Sequence, residues 1–223
     1  LRKNKEENLK QRDRYNTEGM VEAGYEPGSG KRVLKNLVSV KRKREMDILE
    51  FDALAKTLED SLHIYDMSHK FTSVDICNLH KLWLGNLYTW AGSYRQVNMS
   101  KDGFPFAAAN LIPSLMKKFD KSQLERFTPC NFSTQQEVIE ALAVVHNEFI
   151  LIHPFREGNG RVGRLLATLM AVQAGLPPLD FGGIQGKKKQ GYFSAVQEGL
   201  ANNYLPMIEV FAAVVKRTLR INH

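Results

Sequence analysis

The chain has 223 residues, 43% of them apolar, with 31 Lys and Arg against 24 Asp and Glu for a formal net charge of +7. That length accommodates one large domain or one domain with an extension, and the composition is that of a soluble globule, which excludes wholesale disorder. No apolar run approaches the ~18–20 residues of a membrane span, and Cys77 and Cys130 are too few for a disulfide framework or a cysteine zinc cluster, which fits a reducing compartment.

The chain opens on LRKNKEENLKQRDR, which lacks the apolar core of a signal peptide. Cytoplasmic residence is the expectation, with delivery to another cell left open. Residues 1–20 are polar and read as helical or loose. Residues 1–45 hold 13 basic and 7 acidic side chains, or +6, leaving +1 for the other 178. Lys41-Arg42-Lys43-Arg44 is the densest run, a patch able to hold nucleic acid or an acidic partner. It lacks the interleaved aromatics of single-strand binders, and a solvated face leading into the next helix is the plainer account. The organisation expected is a basic N-terminal segment, 1–45, and a catalytic domain, 46–220.

Glu26-Pro27-Gly28-Ser29-Gly30 is turn chemistry. Gly30-Lys31 fails as a phosphate loop, because GxxxxGK[ST] would need Gly at Tyr25 and Ser or Thr at Arg32. Met46, Ile48, Leu49, Leu54, Ala55 and Leu58 predict a helical face between Glu45 and Leu62. Thr72-Ser73-Val74-Asp75 opens a second helix as a capping box, followed by Ile76, Leu79, His80, Leu82 and Trp83; His80 at that spacing reads as a hydrogen-bonded core histidine. In residues 92–107, Tyr94, Val97 and Met99 are strand-like, Lys101-Asp102-Gly103 is a turn, and Phe104-Pro105-Phe106 resumes an extended course. This predicts a short β-hairpin, at an edge because of Pro105. Helices are predicted at about 110–120, 134–150, 160–174, 188–201 and 205–220, which makes the fold class all-α with one hairpin.

The chemistry concentrates in His153-Pro154-Phe155-Arg156-Glu157-Gly158-Asn159-Gly160-Arg161-Val162-Gly163-Arg164. Val138, Leu142, Val145 and Phe149 form the buried stripe of the preceding helix, which Pro154 ends by pushing His153 out of helical geometry. Leu165, Leu166, Leu169, Met170 and Val172 form the next one, which stops at Gly175. A helix start preceded by glycines offers free N–H groups and a positive dipole end, a ready anion site. Arg161 and Arg164, three apart on that first turn, point to one side. Two cations at an already positive end are unfavourable by roughly 0.3–1 kcal/mol each, a conflict that a bound polyphosphate relieves. Glu157 offers a hard oxygen for Mg2+, and His153 can take a proton near neutral pH. Base, metal ligand, anion cradle and two arginines within twelve residues make a phosphoryl- or nucleotidyl-transfer site. Zinc hydrolysis fits poorly: His146 and His153 are seven apart and no HExxH is present. His146 reads as structural, or as a group standing behind the site.

This stretch resembles the signature of the Fic family, HxFx(D/E)GNGRxxR, at every defined position: His153, Phe155, Glu157, Gly158, Asn159, Gly160, Arg161 and Arg164. Tyr25-Glu26-Pro27-Gly28, Val33-Leu34-Lys35-Asn36 and Trp90-Ala91-Gly92-Ser93-Tyr94-Arg95 are similar to its lead-in segments. The resemblance implies a Fic-type helical bundle with a short β-hairpin flap over the active site, and AMPylation: transfer of AMP from ATP to a Ser, Thr or Tyr hydroxyl of a target protein with release of pyrophosphate. By carry-over His153 deprotonates the hydroxyl, and Glu157 holds Mg2+. Asn159 with the backbone of Gly158 and Gly160 cradles the α-phosphate, Arg161 neutralises the β-phosphate, Arg164 grips the γ-phosphate, and Phe155 is buried to fix the loop. The flap residues Lys101, Gly103, Phe104 and Phe106 dock an extended target segment by strand pairing. Tyr192 and Asn202 resemble positions that border the adenine.

The family is often restrained by a helix bearing [S/T]xxxE[G/N]. Glu18-Gly19 has Arg14 where Ser or Thr belongs, and Glu22 is followed by Ala23. Ser194-Ala-Val-Gln-Glu198-Gly199 matches, but inside an expected core helix. The expectation is therefore no internal brake, with restraint by a separate antitoxin-type protein or by oligomerisation. Competing readings are transfer of UMP or phosphocholine, or deAMPylation, at the same site; a kinase-like reversal does not suit the intact GNGR. A nucleic-acid-binding or adaptor role through the basic segment is the alternative of another class.

Overall fold

A computed structural model describes Glu22, residues 24–184 and residues 187–221. Residues 1–20, with Arg14 and Glu18-Gly19, lie outside the described residues. The described part of the basic segment is not a loose arm. Tyr25 bridges Leu34, Glu26 N–H donates to Val33 O at 2.9 Å, and Leu37 N–H to Leu87 O at 2.9 Å. Val33 and Val40 join the main core. The helix α1 then runs Lys43–Ile64, so position 45 falls inside its first turn.

The buried stripe of α1 differs from the hydrophobic one in the sequence. Met46, Glu50, Thr57 and Ser61 face inward while Ile48 and Leu49 are exposed. Burial of hydroxyls is tolerated because each returns to the preceding turn: Thr57 donates to Ala53 O at 2.8 Å and Ser61 to Thr57 O at 2.6 Å. The partners of Glu50 belong to the functional site. Helix α2, Ser73–Leu84, starts on the predicted capping box, with Asp75 N–H donating to Thr72 Oγ1 and Thr72 N–H to Asp75. Leu82 points outward; Ile76, Leu79, His80 and Trp83 are buried as predicted.

The hairpin is shorter than the pattern read from sequence. Strands β1, Ser100–Lys101, and β2, Phe104–Pro105, pair antiparallel with Lys101 opposite Phe104. The turn is Asp102-Gly103, both at positive φ (50° and 81°), the conformation of a two-residue hairpin loop. Tyr94 and Val97 lie outside the strands because the chain there wraps around the buried Arg95 guanidinium.

Helix α3, Ile112–Phe119, ends at Asp120, whose carboxylate accepts from Ser73 N–H and Ser73 Oγ at 2.5 and 2.6 Å and so ties α2 to α3. Helix α4, Gln135–Ile152, buries the predicted Val138, Leu142, Val145 and Phe149 and also Ala141, Val144 and Ile150 around its circumference. A helix buried over most of its circumference belongs at the centre, and α4 packs against α3, α5 (Asn159–Gln173), α6 (Lys187–Glu198) and α7 (Leu205–Ile221). Helix α5 stops at Gly175, φ 75°, with Leu176 N–H donating to Ala171 O and Gly175 N–H to Val172 O, the Schellman closure that only a residue tolerant of the left-handed region makes cheaply. The bundle is helical with one two-stranded sheet among the described residues, as the pattern predicted.

Candidate active site

The turn between α4 and α5 is built from both sides. On one side, the ring of Phe155, fully buried, stacks on the His80 ring at 3.9 Å and 4°. His80 accepts from Gly92 N–H at Nδ1 (2.8 Å), so its Nε2 carries the proton given to Glu157 O at 3.1 Å. Burial drops its pKa to about 4, partly opposed by the hydrogen bond to Glu157. The core histidine expected from its spacing thus clamps the loop. On the other side, Asn159 accepts from Phe155 N–H and donates to Phe155 O, both at 2.8 Å, while only 2% exposed. Closing the loop uses one of its two amide hydrogens, so the amide has a second donor that this closure does not spend. Gly158 is the N-cap of α5 at φ 83°, where a Cβ would lie 2.5 Å from the Trp83 ring; only glycine satisfies both conditions.

His153 ends α4, but in the left-handed region (φ 53°, ψ 57°) rather than the extended one that a following proline favours. Its N–H donates to Phe149 O at 3.0 Å and its carbonyl accepts from Arg95 Nε at 2.7 Å. Its Nδ1 faces Ile150 O at 3.2 Å. A carbonyl only accepts, so Nδ1 carries the proton and Nε2 is the basic nitrogen. The ring stacks on Phe106 at 3.7 Å and 11°, which sets the flap root against the imidazole.

A cleft of about 700 Å³ opens above this turn. It is lined by His153, Glu157, Asn159, Gly160 and Arg164 from the motif, by Lys101 and Phe106 from the flap, and by Tyr192 and Phe193 from α6. The structure therefore brings together most of the residues read from the sequence. Ile150, Phe181 and Ile184 also line it and carried no signal beyond apolarity.

Other expected residues stand elsewhere. Arg161 is on the same side of α5 as Arg164, but it does not line the cleft. It pairs with Glu50 at 2.5 Å and lies 4.5 Å above the Trp83 ring, with Glu157 3.7 Å away. Glu50 accepts from Tyr88 OH at 2.7 Å as well. Sequence reading passed over Glu50; its place four residues after Met46 on the buried stripe was the available signal. Phe104 does not line the cleft but packs edge-on against Phe106 and Phe193, at 5.9 and 6.1 Å. Gly103 occupies the flap tip. Asn202 does not line the cleft either; it takes a left-handed φ of 59° after the short turn that follows α6, where its amide oxygen accepts from Tyr204 OH. Tyr192 reaches the cleft, yet its hydroxyl pairs with His146 Nε2 at 2.7 Å. Burial holds Tyr192 up at about 12 and His146 down at about 4. His146 is thus a group behind the site. Burial also lowers the Arg164 pKa, against the opposing influence of nearby Tyr192. The Ser194–Gly199 match lies in and just after α6, with Glu198 accepting from Asn203 at 3.2 Å, away from Arg164. Glu22 likewise sits by Gln96 N–H (2.8 Å), not at the cleft.

The family model described as Fic/DOC family matches residues 70–171. Among curated proteins, the chain is 27% identical over 177 residues to "Protein adenylyltransferase Fic" of Nematostella vectensis, covering 78% of this chain and 38% of that protein. It is 30% identical over 158 residues to "Protein adenylyltransferase VbhT" of Bartonella schoenbuchensis, covering 71% and 32%. The chain thus spans about a third of the length of these relatives. Among solved structures, BepC of Bartonella tribocorum, determined with bound AMPPNP, superposes with a TM-score of 0.70 at 22% identity over 88% of this chain and 97% of that one. Motif, matched stretch and fold agree: residues 70–171 match the Fic/DOC family, within a bundle that superposes on BepC.

Proposed function

We propose that the chain is a protein adenylyltransferase, moving AMP from ATP to a Ser, Thr or Tyr hydroxyl of a target protein and releasing pyrophosphate. The observation that carries this reading is one cleft holding a histidine with a basic Nε2 beside the first turn of α5 and Arg164. In this mechanism His153 Nε2 takes the proton as the target oxygen bonds to the α-phosphorus, and the bond from that phosphorus to the bridging oxygen of pyrophosphate breaks. The N-terminus of α5 and Arg164 meet the charge that develops on the phosphate oxygens, and catalysis is mostly positioning plus electrostatics. The β-phosphate contact implied for Arg161 requires its guanidinium to turn inward from Glu50.

Glu157 is the carboxylate of the cleft, its side chain 45% exposed. One carboxylate with substrate phosphates is a usual Mg2+ set, so the residues present fit that ion without a preformed protein cage. Mg2+ when bound supplies charge neutralisation on the phosphates. Target docking along the flap is supported by the two-stranded sheet, in which each strand keeps an outer edge.

A separate antitoxin-type inhibitor is part of the proposal. It is supported by a groove of about 220 Å³ lined by Phe51, Leu54 and Leu58 beside Arg161 and Arg164. An apolar helix face carrying a Glu suits that surface. Cytoplasmic residence belongs to the same reading; no helix among the described residues is long and apolar enough to cross a membrane.

The test incubates the purified chain with α-phosphate-labelled ATP, Mg2+ and a cell lysate beside His153→Ala. Labelled proteins, self-modification included, should appear and vanish in the variant. No label from either ATP or UTP would overturn the reading.

A further inference from the structure

Arg95 is a fully buried arginine whose guanidinium is spent on backbone carbonyls. Nε donates to His153 O at 2.7 Å, Nη1 to Val97 O at 2.5 Å, and Nη2 to Ala107 O at 2.6 Å and Ile152 O at 3.4 Å. Its own N–H donates to Pro154 O at 2.8 Å. Three of these carbonyls belong to the end of α4 and the turn after it. The other two, Val97 and Ala107, flank the hairpin on its two sides.

The chemistry of this arrangement is specific. The last carbonyls of a helix have no partner within it, and they form the negative end of its dipole. Here the usual glycine closure is absent and the residue in the left-handed region is His153 itself. A guanidinium is always charged and carries its donors in a planar fork, so it can hold carbonyls that diverge. Burial lowers the Arg95 pKa only to about 10, which leaves it cationic at neutral pH. The His153 ring is meanwhile stacked on Phe106, next to Ala107.

We propose that Arg95 is a positioning residue for the catalytic imidazole: its fork locks the left-handed turn at His153 to both roots of the flap, so that base and target-docking hairpin move as one piece. The proposal rests on the adenylyltransferase reading. It assigns Arg95 no contact with nucleotide, since Arg95 does not line the cleft.

The test compares wild type, Arg95→Lys and Arg95→Gln. Activity is read as kcat and KM for ATP, nucleotide binding by direct titration, and the His153 tautomer by nitrogen-15 NMR. Misplacing a reacting group by about 1 Å costs on the order of 10²-fold, so kcat should fall by about that factor while ATP affinity stays within about twofold. The single Nδ1–H tautomer of His153 should give way to a mixture. Retained wild-type kcat in a folded variant, an unchanged tautomer, or a loss of ATP affinity parallel to kcat would each overturn the proposal. If neither variant folds, the wild-type Arg95 Nε proton decides: strong protection from exchange is expected, and exchange as fast as that of surface arginines overturns it. If wild type transfers no AMP, the adenylyltransferase reading fails, while the tautomer and exchange measurements still report on the lock.

Discussion

Replacing Gly158 by alanine tests how the motif loop is held. The new Cβ would lie 2.5 Å and 2.9 Å from two carbons of the Trp83 ring, at a backbone φ of +83°. An L side chain in the left-handed region costs about 1–2 kcal/mol, and overpacking a filled site adds about 1–3 kcal/mol. The ring has little freedom to withdraw, because its Nε1–H donates to Glu50 O at 2.8 Å and its face supports Arg161. The sum is about 2–5 kcal/mol, which for a domain of this size lowers Tm by about 4–20 °C. Denaturant unfolding and an ATP titration on the same variant measure the two consequences, since a loop that shifts to relieve the clash also displaces the start of α5. Stability within about 1 kcal/mol of wild type together with unchanged ATP affinity would refute the reasoning.

The two buried imidazoles set an acid limit. His80 and His146 are both held near 4 by burial, against about 6.5 in an unfolded chain. The native state keeps them neutral while the unfolded state takes protons, so stability is full above pH 6.5 and falls as pH drops towards 4, by about 3 kcal/mol for each imidazole. Urea unfolding at pH 7.5, 5.5 and 4.5 checks this, and a flat profile contradicts it. Glu50→Gln keeps an acceptor for Tyr88 but removes the negative partner of Arg161; with that side chain 30% exposed, the expected cost is about 1–3 kcal/mol. A shift below 0.5 kcal/mol, roughly the range of ordinary surface changes, would mean the pair is incidental.

The sequence was most informative where local rules act alone. The capping box at Thr72, the Gly175 stop and the α4 stripe were legible because their partners lie within a few residues. The motif loop was legible as chemistry, since glycines, a base, a carboxylate and cations in twelve residues have few other uses. What the sequence hid depends on partners distant in the chain. Arg161 reads as a phosphate ligand, and nothing local shows that it also pairs with Glu50, brought in by α1. Asn159 reads as an anion contact from the motif, and nothing local shows that its side chain also closes the loop on Phe155. Of the strand-like residues before the hairpin, Met99 pairs with Phe106, while Tyr94 and Val97 do not, because Arg95 draws the chain inward there. Asn202 carries no pattern that separates a cleft residue from a left-handed cap.

AMP transfer breaks ATP between the α-phosphorus and the bridging oxygen, whereas a kinase breaks it at the γ-phosphorus. Parallel reactions with ATP labelled at the α- or the γ-phosphate, each with wild type and His153→Ala, read this directly on the modified protein. Label from the α-phosphate alone, lost in the variant, is the predicted result. Transfer of the γ-label, or α-label that persists without His153, would contradict it.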